Sequence, residues 1–302
     1  MKKLIYWGFV LIAFGLIYNY RLDIMKYAVT KLGRNPTAVE LTYKNEYTRK
    51  KNYKYVQITN DFNVTKKEEF LNIYYTVVDS GIDEFTFYCD KKYESCLNDI
   101  NDFANDQATL SNINSFVHPY NSFTSIKTKF DSLNKINIKI EKAYNDKQIE
   151  TINEKINQIK INLIKNTTDQ KEIIKIVHDY IINNAKYDID RSDNNIKTYS
   201  STIAYGPLIE GYGLCGGYTD AMALFLDEYN IPNFKVISEN HIWNAVYINN
   251  TWQHLDLTWD DPVSKDGRDT LDYTFFLINT KDLEKLETNQ HIYDKNAFIE
   301  IH

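Results

Sequence analysis

His241-Ile242-Trp243-Asn244-Ala245-Val246-Tyr247-Ile248-Asn249-Asn250-Thr251-Trp252-Gln253-His254-Leu255-Asp256 is the run that decides the fold. β-Branched and aromatic residues fill both halves, and Asn249-Asn250 separates them as a two-residue turn, which together signal a β-hairpin. Strands are expected over 241–248 and 251–259, with a third before them over 233–238. A two-residue turn fixes the register: Ile248 faces Thr251, so Trp243 faces Asp256 and His241 faces Thr258. Opposed residues share a sheet face, which puts His241 and Asp256 on the same side, one diagonal step of roughly 7–8 Å apart at the backbone. An imidazole and a carboxylate can meet across that step. A slip of one residue would throw Asp256 to the other face. His254 shares a face with Asp256 and is the competing base, but it precedes Asp256 by two on the same strand and points to another part of the groove. Asp260 and Asp261, before Pro262, are read as turn caps.

Upstream lies Gly211-Tyr212-Gly213-Leu214-Cys215-Gly216-Gly217-Tyr218. Gly206-Pro207 and the glycines at 211 and 213 break the chain into a loop, and a helix follows over Gly217 to Tyr229, with Ala221, Leu224, Phe225 and Leu226 inward. Asn230 stops it before Ile231-Pro232. Cys215 therefore sits at a helix N-terminus, where unpaired amides and the macrodipole favour an anion. Gly216 and Gly217 are read as allowing close backbone approach to a ligand, against the plainer reading of Cys215 as a small buried residue. Cys215, His241 and Asp256 supply a nucleophile, a base and an orienting acid. The amides of Cys215 and Gly216 are candidate oxyanion donors, and Tyr218, Trp243 and Trp259 are expected to line the groove. No C-x-x-C or H-x-x-x-H pair occurs, so neither a metal site nor a cofactor is expected.

Further upstream, Ile149, Ile152, Ile156, Ile159 and Leu163 step by three and four along one helical face. Asp169 with Glu172 resembles a capping box that opens a second helix, with Ile173, Val177, Tyr180 and Ile181 buried. His178 lies beside that stripe as a surface or core-edge residue. Before residue 148 the pattern is that of a small α/β unit: strands near 53–59 and 84–89, helices near 65–78 and 93–103, a polar stretch ending in His118-Pro119-Tyr120-Asn121, and strand material over 126–144. No repeat or low-complexity linker divides it.

The 35 basic and 41 acidic residues give a net charge of -6, which leaves no electrostatic footprint for nucleic acid. Hydrophobic residues at 43% suffice for a core. Lys2 and Lys3 precede an almost wholly apolar stretch from Leu4 to Tyr18 within an uncharged span over 4–20, which as a helix covers roughly 26 Å, the short end of what a bilayer needs. Basic residues ahead of it put the rest of the chain outside a single-pass membrane anchor, with a cleaved signal peptide as the alternative. Of three cysteines, Cys89 and Cys96 can pair in an exported protein and leave Cys215 as the free thiol; alternatively Cys89 is a small core residue.

Over Asp169 to Ile278, the chain resembles the transglutaminase-like superfamily of papain-fold cysteine enzymes, in particular its bacterial extracellular members. The residues that carry the resemblance are Asn184-Ala185-Lys186-Tyr187-Asp188, the Cys215 motif, His241-Ile242-Trp243-Asn244 and Asp256-Leu257-Thr258-Trp259-Asp260-Asp261-Pro262. It departs from the family pattern at Asn240, where a glycine commonly precedes the histidine, and at Ile242, usually alanine. The resemblance implies an α+β fold with the cysteine helix packed on an antiparallel sheet, a Cys215, His241, Asp256 triad, and a peptidase, amidase or amide-crosslinking activity. The expected organisation is an anchor at 1–20, an α/β domain at 21–147 and a catalytic domain at 148–302. The expected partner is a peptide or protein substrate, such as a cell-wall or surface protein.

Overall fold

The computed structural model describes residues 16–21, 24, 62–131, 134–165, 167–262, 270–286 and 288–301. Most of the expected anchor and the strand expected at 53–59 lie outside them. Among the described residues no helix is long and apolar enough to cross a membrane.

The N-terminal layer comprises β1 (Asn63–Val64), α1 (Glu69–Asp79), β2 (Glu84–Cys89), α2 (Cys96–Asn105), α3 (Gln107–Asn114), β3 (Phe123–Phe130) and β4 (Lys135–Lys142). Its sheet has the order β1-β2-β4-β3, parallel only between β1 and β2. A disulfide joins Cys89 at the end of β2 to Cys96 at the start of α2. The polar stretch after residue 103 holds α3, whose first turn is capped by the Asp106 side chain accepting from the Thr109 amide.

α4 (Asp146–Ile159) opens with a full capping box between Asn145 and Gln148. At α5 (Gln170–Asn184) half of the expected box forms: Asp169 accepts from the Glu172 amide, while the Glu172 carboxylate accepts from Thr167 Oγ1. β5 (Lys186–Tyr187), α6 (Ile189–Asn194) and β6 (Tyr212–Gly213) lead to α7 (Cys215–Glu228), which starts two residues earlier than expected. β7 (Asn233–Ile237), β8 (Ile242–Ile248) and β9 (Thr251–Leu255) form an antiparallel meander, followed by α8 (Thr280–Lys285).

The hairpin register is the one expected, with Ile248 opposite Thr251 and Asn244 opposite Leu255. Asn249 and Asn250 both take left-handed backbone, φ 51° and 63°, the conformation that matches a tight turn to the strand twist. β9 ends at Leu255 rather than 259. There Asp256 Oδ1 accepts from the amides of Thr258 and Trp259 at 3.0 and 3.3 Å, and a side chain that takes backbone donors draws the chain out of the ladder.

β8 is buried on both faces. Trp243 and Ala245 join a hydrophobic cluster with Phe87, Phe116 and Ile138 of the N-terminal layer, while Val246 and Ile248 join a second cluster with Ile173 and Val177 of α5 and Phe225 of α7. The sheet edge at β7 is covered too, since the Lys235 amide donates to Ser115 O at 2.9 Å. The expected domain boundary at 147/148 falls within α4, and the first cluster includes residues from both sides of it.

Candidate active site

Cys215 is the first residue of α7 and is partly exposed. The N-cap is Leu214, whose side chain makes no capping bond, so the helix's leading amides are left for another acceptor. The glycines behind the cysteine have a different cause from the one expected. A Cβ on Gly217 would lie 2.3 Å from Ser201 O, and one on Gly216 2.8 Å from Thr202 O. The close approach is to the chain's own 201–203 segment.

His241 sits just before β8, in a short loop where its amide donates to Ser238 Oγ at 3.1 Å and Ser238 N donates to His241 O at 3.0 Å. Its Nε2 lies 2.6 Å from Asp256 Oδ2. Cys215 and His241 line the same two hollows, and with Nε2 committed to the acid the nitrogen left to face the thiol is Nδ1. Burial disfavours the charged imidazole, but the Asp256 charge and hydrogen bond, with Cys215 adding to them, outweigh it and raise the His241 pKa to about 10. Burial alone would push Asp256 up; His241 and His291 instead hold it down, to about 2.

His291 was not singled out by sequence. Its Nε2 reaches the same Asp256 Oδ2 at 2.8 Å, from a short 3-10 turn at Asn289–His291. No spacing connects residue 291 to the hairpin, so only the folded chain brings them together. Asp256 thus accepts four N–H groups, two on each oxygen. The ligand atoms of His241, Asp256 and His291 lie within 4.8 Å of one another, the one set among the described residues with the composition to hold a metal ion. The Nε2 atoms of both imidazoles are engaged by the Asp256 carboxylate.

His254 has both ring nitrogens engaged away from Cys215. Its Nδ1 accepts from Trp243 Nε1 at 2.9 Å, Nε2 lies 3.1 Å from Thr280 Oγ1, and burial pushes its pKa down to about 3. His178 is fully buried rather than at the surface, clamped between Asp179 and Asp260. Of the three expected groove residues only Trp259 lines a hollow beside Cys215. Tyr218 is buried with its hydroxyl on Asp261. Trp243 is fully buried behind the site, 5.7 Å from the His241 ring and 4.9 Å from that of His291.

Two hollows meet at Cys215, Asn240 and His241. One of about 470 Å³ runs toward Lys235 and the N-terminal layer at Asn114, Phe123 and Thr124; the other, about 230 Å³, is walled by Tyr187, Trp259, Pro262 and Gln290. Another hollow of about 470 Å³ lies at the far end of α7 around His118, Asp227 and Asn230, and no cysteine lines it.

Residues 157–257 match the model of the transglutaminase-like superfamily. This stretch is a transglutaminase-like domain. It contains Cys215, His241 and Asp256, and it leaves out the N-terminal layer and the segment bearing His291. Two solved structures are similar to the chain. One, described as "Crystal structure of a TGase", is 11% identical with a TM-score of 0.32, over 72% of this chain and 69% of that one. The other, described as a "Putative Cysteine Protease from Cytophaga hutchinsonii", is 14% identical with a TM-score of 0.28, over 49% of this chain and 65% of that one. No curated protein matches the chain.

Proposed function

We propose that the transglutaminase-like domain is a cysteine-nucleophile acyl-transfer enzyme acting on carboxamide or peptide bonds, with hydrolysis as the releasing step. The observation that carries this reading is His241 bonded through Nε2 to Asp256 while it shares the lining of two hollows with Cys215, the first residue of α7. The Cys215 sulfur attacks the carbonyl carbon, and helix-terminal amides at Cys215 and Gly216 receive the oxyanion. His241, charged by the proton it shares with the thiol, passes it to the leaving amine. Asp256 holds the ring in the tautomer that aims Nδ1 at sulfur. Water then enters at the partly exposed Cys215 and releases the acid. The substrate is a peptide or protein, and the hollows on either side of Cys215 suit an extended chain passing the sulfur. The disulfide at Cys89 and Cys96 supports an oxidising location outside the membrane.

The test uses a glutamine-containing peptide with and without a primary amine, on the parent chain and on Cys215→Ala. Ammonia or cleaved peptide from the parent alone is expected. An amine adduct without cleavage would replace hydrolysis by crosslinking, and equal turnover by Cys215→Ala would remove the nucleophile.

A further inference from the structure

We propose that His291, carried on the strap 288–293, is a positioning residue of this active site that holds Asp256 in place against His241. The proposal rests on the reading of Cys215, His241 and Asp256 given above and deepens it.

The strap lies outside the matched residues 157–257, yet it touches three parts of the site. His291 Nε2 is 2.8 Å from Asp256 Oδ2, and because an ionised carboxylate only accepts, Nε2 carries the proton. The opposite nitrogen is 2.6 Å from Thr288 Oγ1, so the ring cannot turn without losing both bonds. Phe275 stacks on it at 4.9 Å, and Trp243 meets it edge-on at 4.9 Å. Beside it, Gln290 Oε1 accepts from Trp259 Nε1 at 3.0 Å, fixing an indole that walls the smaller hollow. Two residues on, Tyr293 forms an antiparallel bridge to Ser238, whose hydroxyl accepts from the His241 amide. One short segment therefore braces the acid, the groove wall and the loop that bears the base.

With His291 in place, all of the acid's near donors are spoken for and the carboxylate has one orientation. Without it, Oδ2 keeps only His241, a buried carboxylate loses an N–H donor, and protonation becomes easier. The charged and titratable groups facing Asp256 are His241 and His291 directly, with His254 and Asp260 acting at longer range, and Cys215 faces His241. None of the longer-range groups can supply the lost bond. The acid limb of Cys215 reactivity should then move to higher pH.

The experiment follows iodoacetamide labelling of Cys215 by mass spectrometry from acid to neutral pH on the full chain, the other two cysteines being joined. Parent, His291→Leu, His291→Gln and Thr288→Val are compared, with near-ultraviolet circular dichroism as the check on folding. For His291→Leu, a looser Asp256 steadies the charged His241 less well, so the acid limb of Cys215 labelling should move up by about one pH unit, a fall of about tenfold on that limb, with a smaller loss near pH 8. His291→Gln keeps an N–H donor and should recover most of the rate; Thr288→Val should fall between. A folded His291→Leu chain with the parent's pH profile overturns the proposal, and if that variant does not fold, an unshifted Thr288→Val profile does so instead. Zinc retained stoichiometrically by the parent and lost in His291→Leu also overturns it, making His291 a metal ligand. A parent that labels slowly at every pH overturns the nucleophile reading and this one with it, whereas a fast parent with an unaffected variant overturns this one alone.

Discussion

Asp256 is the residue on which the site's electrostatics turn, because it is buried, charged and surrounded by donors on every side. Asp256→Asn offers one acceptor oxygen to four N–H groups, so whichever way the amide lies its own N–H₂ faces two donors. Turnover should fall by about 10² or more with little change in KM, as expected for a lost tautomer constraint, and steady-state kinetics on the glutamine peptide would read it. The pair also sets a pH dependence of stability. The Asp256 pKa is lowered to about 2 from 3.8, so its contribution is present above about pH 4 and is lost as pH falls through about 2. The His241 pKa is raised to about 10 from 6.5, so its contribution is complete below about 6.5 and fades as pH rises through about 10. Thermal unfolding should show the Asp256→Asn penalty largest between those limits; a penalty that keeps growing toward pH 10 would contradict the assignment.

At the scale of elements, the hairpin turn and the start of α7 do the positioning. Asn250 holds φ 63°, a backbone that costs a β-branched residue about 1–2 kcal/mol, so Asn250→Val should lower stability by that amount in denaturant titration while Asn250→Gly should not. Gly217→Ala places a methyl against Ser201 O, a backbone atom that cannot swing aside. A loss of about 1–3 kcal/mol is expected, together with slower Cys215 labelling, since the helix start must shift. These two elements were legible in the sequence because each depends on local chemistry: Asn-Asn fixes the register that brings His241 to Asp256, and glycines before an apolar stripe mark the cysteine helix. What was not legible depends on tertiary partners. α3 has only Leu110 and Ile113 buried, too few apolar positions to give a helical period. Tyr218 and Trp243, expected in the groove, are buried in the core by the packing around them. His291 needed the strap's path across the sheet.

For the molecule as a whole, the transglutaminase-like stretch is expected not to stand by itself. β7, β8 and β9 give Phe234, Val236, Trp243, Ala245 and Trp252 to a cluster whose other members include Phe87, Phe116, Ile136 and Ile138, all from residues before 143. Each large side chain uncovered costs about 1.5–3 kcal/mol, and several together reach the whole margin of a domain, about 5–15 kcal/mol. The covering layer also satisfies the Lys235 amide through Ser115 and walls the larger hollow at Asn114 and Phe123. A chain of residues 143–302 keeps Cys215, His241, Asp256, His291 and the Tyr144 bond to Asp220, so it retains every group of the proposed chemistry and loses only that cover. It should unfold without a cooperative transition, bind a hydrophobic dye, and label Cys215 no faster than a free thiol. A sigmoidal transition within a few degrees of the full chain's would show that the sheet needs no N-terminal layer, and would leave that layer as a wall of the groove alone.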